Sequence, residues 1–86
     1  MIMTRTVYSP HALEQMKERG ATKEEVEETI IKGEMIPARK GRIAFRYNFK
    51  FQSKWGGKEY AIKQVVPVVV QEEGRYIVVT VYAFYF

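Results

Sequence analysis

The 86 residues contain no cysteine and no aspartate, and only one histidine. Without thiols the chain can form no disulfide, no thiolate zinc site and no cysteine nucleophile, which fits a reducing cytoplasm, the location we expect. A single histidine gives no spacing suited to a metal site. The lone Ser and Thr residues have no His-and-acid arrangement around them, so no metal, cofactor or hydrolase triad is expected. Long apolar runs are also missing. The longest, "VVPVVV", is far short of a membrane span, and "MIMTRTVYSP" lacks an apolar signal-peptide core. "WGGK" has no following helix and so is no phosphate-binding loop. "KGRIAFRY" has Arg42, Ile43 and Ala44 where the RNA-recognition motif wants an aromatic, a small residue and an aromatic. What remains is one domain, residues 1–86, without a membrane partner.

Charge is present, and it is unevenly placed. The net charge is +4, but residues 35–58 carry Arg39, Lys40, Arg42, Arg46, Lys50, Lys54 and Lys58 with no acid at all, while residues 11–34 hold seven Glu against four bases. An acidic half therefore adjoins a basic half, and a polyanion is the natural partner for the second. The plainer alternative is a solvated basic strand that keeps a sheet edge soluble.

Local signals divide the chain. "TRTVYS" can form a short strand. Ser9 is a favoured N-cap, Pro10 suits the first helical position, Leu13 and Met16 mark a buried stripe, and Gly20 closes the helix. Thr22 with Glu25 forms a capping box for a second helix, in which Val26 and Ile30 face inward and which Gly33 ends. After Pro37 the period becomes two: Ile43, Phe45, Tyr47, Phe49 and Phe51 alternate with Ala44, Arg46, Asn48, Lys50 and Gln52. "WGGK" reads as a hairpin turn into "EYAIKQVVPVVVQ", where Pro67 implies a bulge or an edge position. "EEGR" turns into "YIVVTVYAFYF", with Tyr76, Val78, Thr80, Tyr82, Phe84 and Phe86 expected on one face. The fold class is α+β, β-α-α-β-β-β, with two N-terminal helices on one face of a twisted antiparallel sheet. The last strand is apolar on both faces, which calls for a covering partner, either a second copy or another protein.

Carried across the hairpins, the alternation puts Arg46 and Lys50 opposite the Phe stripe. If register allows, they share a cationic, hydroxyl-bearing surface with Lys63, Thr80 and Tyr82. Arg39, Lys40, Arg42, Lys54, Lys58 and Lys63 are the candidate phosphate contacts. His11, in the first helical turn beside the positive end of the macrodipole, suits a base or an acceptor better than a phosphate anchor. A histidine that helps to cap the helix is the commoner alternative.

"SPHALEQMKERGATKEEVEETI", followed by a basic hairpin and a closing "IVVTVY", resembles the domain-of-unknown-function 4258 family, whose opening helix reads His-Ala-x-x-Arg-Met-x-x-Arg-Gly. His11, Ala12, Met16, Arg19 and Gly20 match that pattern, as do Thr80 and Tyr82. Gln15 departs from it, standing where the family usually has arginine. The family is similar in fold to RelE- and BrnT-like toxins, metal-independent ribonucleases paired with antitoxins. The resemblance therefore implies RNA cleavage through the 2′-hydroxyl, free or on the ribosome. His11 would serve as base, Arg19, Arg46 and Lys50 as charge stabilisers, and Tyr82 or Lys63 as acid or orienting group. An antitoxin-like protein or a second copy would sit on the last strand. The alternative is a non-catalytic basic RNA- or protein-binding module that keeps the fold.

Overall fold

A computed structural model describes residues 5–86 of the chain. Thr4, the first residue of the expected opening strand, lies outside that range. The elements are β1 (Arg5–Tyr8), α1 (Pro10–Arg19), α2 (Lys23–Lys32), β2 (Glu34–Pro37), β3 (Ile43–Trp55), β4 (Lys58–Glu72) and β5 (Arg75–Tyr85). They form an α+β fold with a five-stranded sheet in the order β1-β5-β4-β3-β2.

The capping signals do what their chemistry requires. The Ser9 hydroxyl accepts from the Ala12 N–H at 3.0 Å, so the cap of α1 belongs to Ser9 and not to His11. Thr22 and Glu25 close a complete capping box on α2. Gly20 ends α1 with φ +76°, and a Cβ there would also sit 2.7 Å from the Trp55 ring. Gly56 and Gly57 take positive φ in the two-residue turn between Trp55 and Lys58.

Four expectations are corrected. The sheet is mixed, because β1 runs parallel to β5; the two-helix crossover returns the chain in the same direction. A further short strand, β2, pairs with β3 as Glu34↔Arg46 through Pro37↔Ile43. Its approach depends on Gly33, where a Cβ would stand 2.7 Å from the Arg46 carbonyl. Leu13 faces outward at 41% exposure, because α1 turns the stripe of Ala12, Gln15 and Met16 toward β5. Pro67 is neither at an edge nor itself a bulge: it is buried in β4, between β3 and β5. The β3–β4 pairs pass from Ala44↔Val68 to Tyr47↔Val65, and the gap falls where Pro67 has no N–H to give.

The bulge lies beside it, on β5. Val68 pairs with Thr80 and Val69 with Val78, which leaves Val79 as an extra residue. The flip divides the expected face of the last strand. Tyr76 and Val78 join Val81 on the helix side, while Thr80, Tyr82 and Phe84 point the other way. The core between helices and sheet is built from Ala12, Met16, Val26, Phe45, Val65, Val69, Val78 and Val81.

Beyond its pairing with β1, β5 would present an open edge. Helix α1 closes it with side chains: the Gln15 Oε1 accepts from the Val81 N–H at 2.9 Å, and Arg19 Nη1 donates to the Val81 carbonyl at 2.7 Å. The helix thus stands in for a missing strand. Gln15 is therefore a buried acceptor, a role that arginine, with donors only, could not fill.

Candidate nucleic-acid interface

Cross-strand partners share a face, so register decides what the surface opposite the helices presents. Lys50, Ile62 and Phe86 form one row, since Lys50 pairs with Ile62 and Ile62 exchanges backbone hydrogen bonds with Phe86. Asn48, Gln64 and Phe84 form the next, with Gln64 Nε2 donating to Asn48 at 2.9 Å. Arg46 lies between the Ala44 and Asn48 positions, opposite Val66, which pairs with Tyr82. Ala44, Val68 and Thr80 complete the set.

Read across the rows, β3 carries the cations and β5 carries the aromatics. Two strand spacings separate the stripes, about 10 Å. Tyr82, Phe84 and Phe86 are 41%, 45% and 63% exposed. The rings of Tyr82 and Phe84 are nearly parallel at 15°, and the Arg19 guanidinium lies 5.2 Å from the Tyr82 ring centre.

The β2–β3 connection stands at one end of this face. Ala38, Arg39, Lys40 and Arg42 line a half-open cavity of about 410 Å³ together with Val68, Thr80 and Tyr82. The connection is a tight turn closed by Arg42 N–H donating to the Arg39 carbonyl, with φ +60° at Lys40 and +70° at Gly41. No carboxylate lines this cavity. The nearby acid Glu34 is engaged by Arg46 in an exposed ion pair.

The structure thus brings Arg46, Lys50 and Tyr82 to one face, and Arg39, Lys40 and Arg42 to the cavity at its end. The other sequence candidates lie elsewhere. Lys54 on β3 and Lys58 on β4 sit at the hairpin tip, Lys54 about 26 Å along the strand from Arg46 and opposite Glu59. His11 is exposed in the first turn of α1 and does not line the cavity. Arg19 spends a donor on the Val81 carbonyl. Lys63 is removed from the set: it is only 6% exposed, on the helix side, and donates to the Gly20 carbonyl and to both Glu25 oxygens at 2.8–2.9 Å.

Alternation puts Thr80 and Tyr82 on one face of the last strand, but nothing local shows that the turn cations line a cavity with them. The signal was the spacing of Arg39, Lys40 and Arg42 around Gly41, which reads as a turn only once β2 is recognised. Among the described residues there is no cluster of three or more potential metal ligands, and no helix is long and apolar enough to cross a membrane.

A family model described as a domain of unknown function (DUF4258) matches residues 8–83. No curated protein and no solved structure matches the chain.

Proposed function

Because the chain belongs to this family of unknown function, we propose a role from its surface chemistry: a platform for single-stranded RNA, with backbone phosphates along β3 and bases stacked on β5. The observation that carries this reading is the pairing of a cationic stripe with an exposed aromatic stripe on one sheet face. That is the combination by which proteins hold single strands without reading their sequence. Arg46 and Lys50 stand on this face of β3, Lys54 and Lys58 lie beyond them at the hairpin tip, and Tyr82, Phe84 and Phe86 offer ring surface across the sheet.

The test is the affinity for a fluorescent RNA oligonucleotide as salt is raised. If about four phosphates are neutralised on a single strand, affinity falls roughly fifty-fold between 50 and 200 mM salt. Tyr82→Ala and Phe84→Ala should each cost about 1–3 kcal/mol of binding. A flat salt response, with both aromatic variants binding as wild type does, would remove RNA and leave the aromatic stripe as a surface for protein.

A second reading adds cleavage of the RelE-like kind. It is favoured by Arg46 and Tyr82 flanking Val66 in one row, with the Arg19 guanidinium over the Tyr82 ring. Incubation of free and ribosome-bound RNA under chelation, with wild type, Arg46→Ala and Tyr82→Phe, separates cleavage from binding. Equal cleavage by all three proteins would assign the activity to a contaminant.

A further inference from the structure

The cavity beside the 38–42 turn differs in shape and charge from the open platform, and we infer that it is a subsite for the terminal phosphate monoester of the bound strand. This rests on the platform reading above and deepens it. A strand lying along β3 and β5, across the rows, reaches the 38–42 turn at the Thr80 end, where residues of that turn line the cavity together with Thr80 and Tyr82. What suits that place is an end, not a continuing backbone.

The lining agrees with a dianion. Arg39, Lys40 and Arg42 give the lining three positively charged residues, Thr80 and Tyr82 are its hydroxyl-bearing members, and no acid is among them. A phosphate monoester carries about −1.5 to −2 charge and three strong acceptor oxygens, more than an internal diester can offer such a set. The cavity's 410 Å³ lies in the range of small-ligand sites, enough for a phosphate with its attached nucleoside and too little for a folded partner. Tyr82 belongs to both regions. Its ring ends the aromatic stripe, and its residue lines the cavity, so the last base and the end phosphate would be held by neighbouring groups.

The experiment compares one oligonucleotide in three forms, with a 5′-phosphate, with a 3′-phosphate and with hydroxyls at both ends. One phosphorylated form is expected to bind about tenfold tighter than the hydroxyl form or better, and which one it is fixes the strand's polarity. Lys40→Asn removes a cation and keeps the turn, because asparagine accepts the left-handed backbone that Lys40 occupies. Thr80→Val removes a hydroxyl from the lining at nearly constant shape. Both variants should lose most of the terminal-phosphate gain while binding the hydroxyl form within about twofold of wild type.

Equal affinity for all three oligonucleotides overturns the subsite and leaves the platform standing. Failure of every form to bind overturns both. A gain that survives undiminished in Lys40→Asn and Thr80→Val overturns the assignment to this cavity.

Discussion

Lys50 and Lys63 lie on adjacent strands, one position out of register, yet they occupy opposite faces of the same sheet. On the helix side Lys63 is buried and spends its ammonium on the Gly20 carbonyl and the Glu25 carboxylate, tying β4 to the α1–α2 junction. On the other side Lys50 is exposed among polar and aromatic neighbours. The same side chain serves folding on one face and is free for a ligand on the other, and nothing in its chemistry decides which. The same contrast holds for tyrosine: the Tyr85 hydroxyl donates to the Arg19 carbonyl at 2.6 Å, while the Tyr82 ring stands out from the sheet.

Truncating the two lysines in turn should have opposite consequences. Lys63→Met leaves Glu25 without its buried partner and should cost about 3 kcal/mol or more, whereas Lys50→Met, on the surface, should stay within about 0.5 kcal/mol. For a domain of this size that is a fall in Tm of roughly 12 °C or more against almost none, read by thermal unfolding. The binding result should be reversed: Lys50→Met weakens RNA affinity and flattens its salt dependence. Equal stability losses from the two variants would refute the division of the faces.

A smaller loss is expected where α1 guards the β5 edge. Gln15→Leu leaves the Val81 N–H buried without an acceptor, at about 1–3 kcal/mol. Faster hydrogen exchange at Val81 in the variant would localise the damage, and unchanged protection there would exclude the edge-guard role.

The smallest effect is a change of slope in alkaline solution. Burial, then the hydrogen bond to Glu27 and the nearby carboxylates, raises the Tyr8 hydroxyl well above its ordinary value, and burial followed by Glu25 raises that of Tyr85. The folded protein therefore keeps protons that the unfolded chain releases above pH of about 10. The stabilisation is complete below that pH and is lost progressively above it. Tyr8→Phe and Tyr85→Phe should each flatten the decline of Tm between pH 9 and 11. Slopes identical to wild type in both would contradict these assignments.

Much of the fold was legible because its signals are local. Ser9, Thr22 with Glu25, and Gly20 act on backbone groups within four residues, and "WGGK" makes its own turn. The alternation of β3 also separated Arg46 and Lys50 from the phenylalanines correctly. The face of Lys63 is not legible because each parity of β4 mixes polar and apolar residues, Lys63 with Ala61 and Val65 on one and Gln64 with Ile62 and Val66 on the other, so alternation cannot choose between them. Tyr76 was misplaced because the Val79 bulge shifts β5 by one residue, and a bulge depends on the partner strand. β2 was overlooked because "EMIP" is short and becomes a strand only through its pairing with β3.

The order of charges and the helix boundaries follow from the sequence by itself, since neighbouring residues suffice to determine them. Which cations meet which aromatics was decided only by the tertiary structure. Strand register and one extra residue at Val79 set the face of the side chains beyond them, and the 38–42 turn lines a cavity with Thr80 only because β2 pairs with β3. The physical reason is range: capping bonds close over three or four residues, whereas a sheet face is assembled from positions forty residues apart that touch only after the chain has folded.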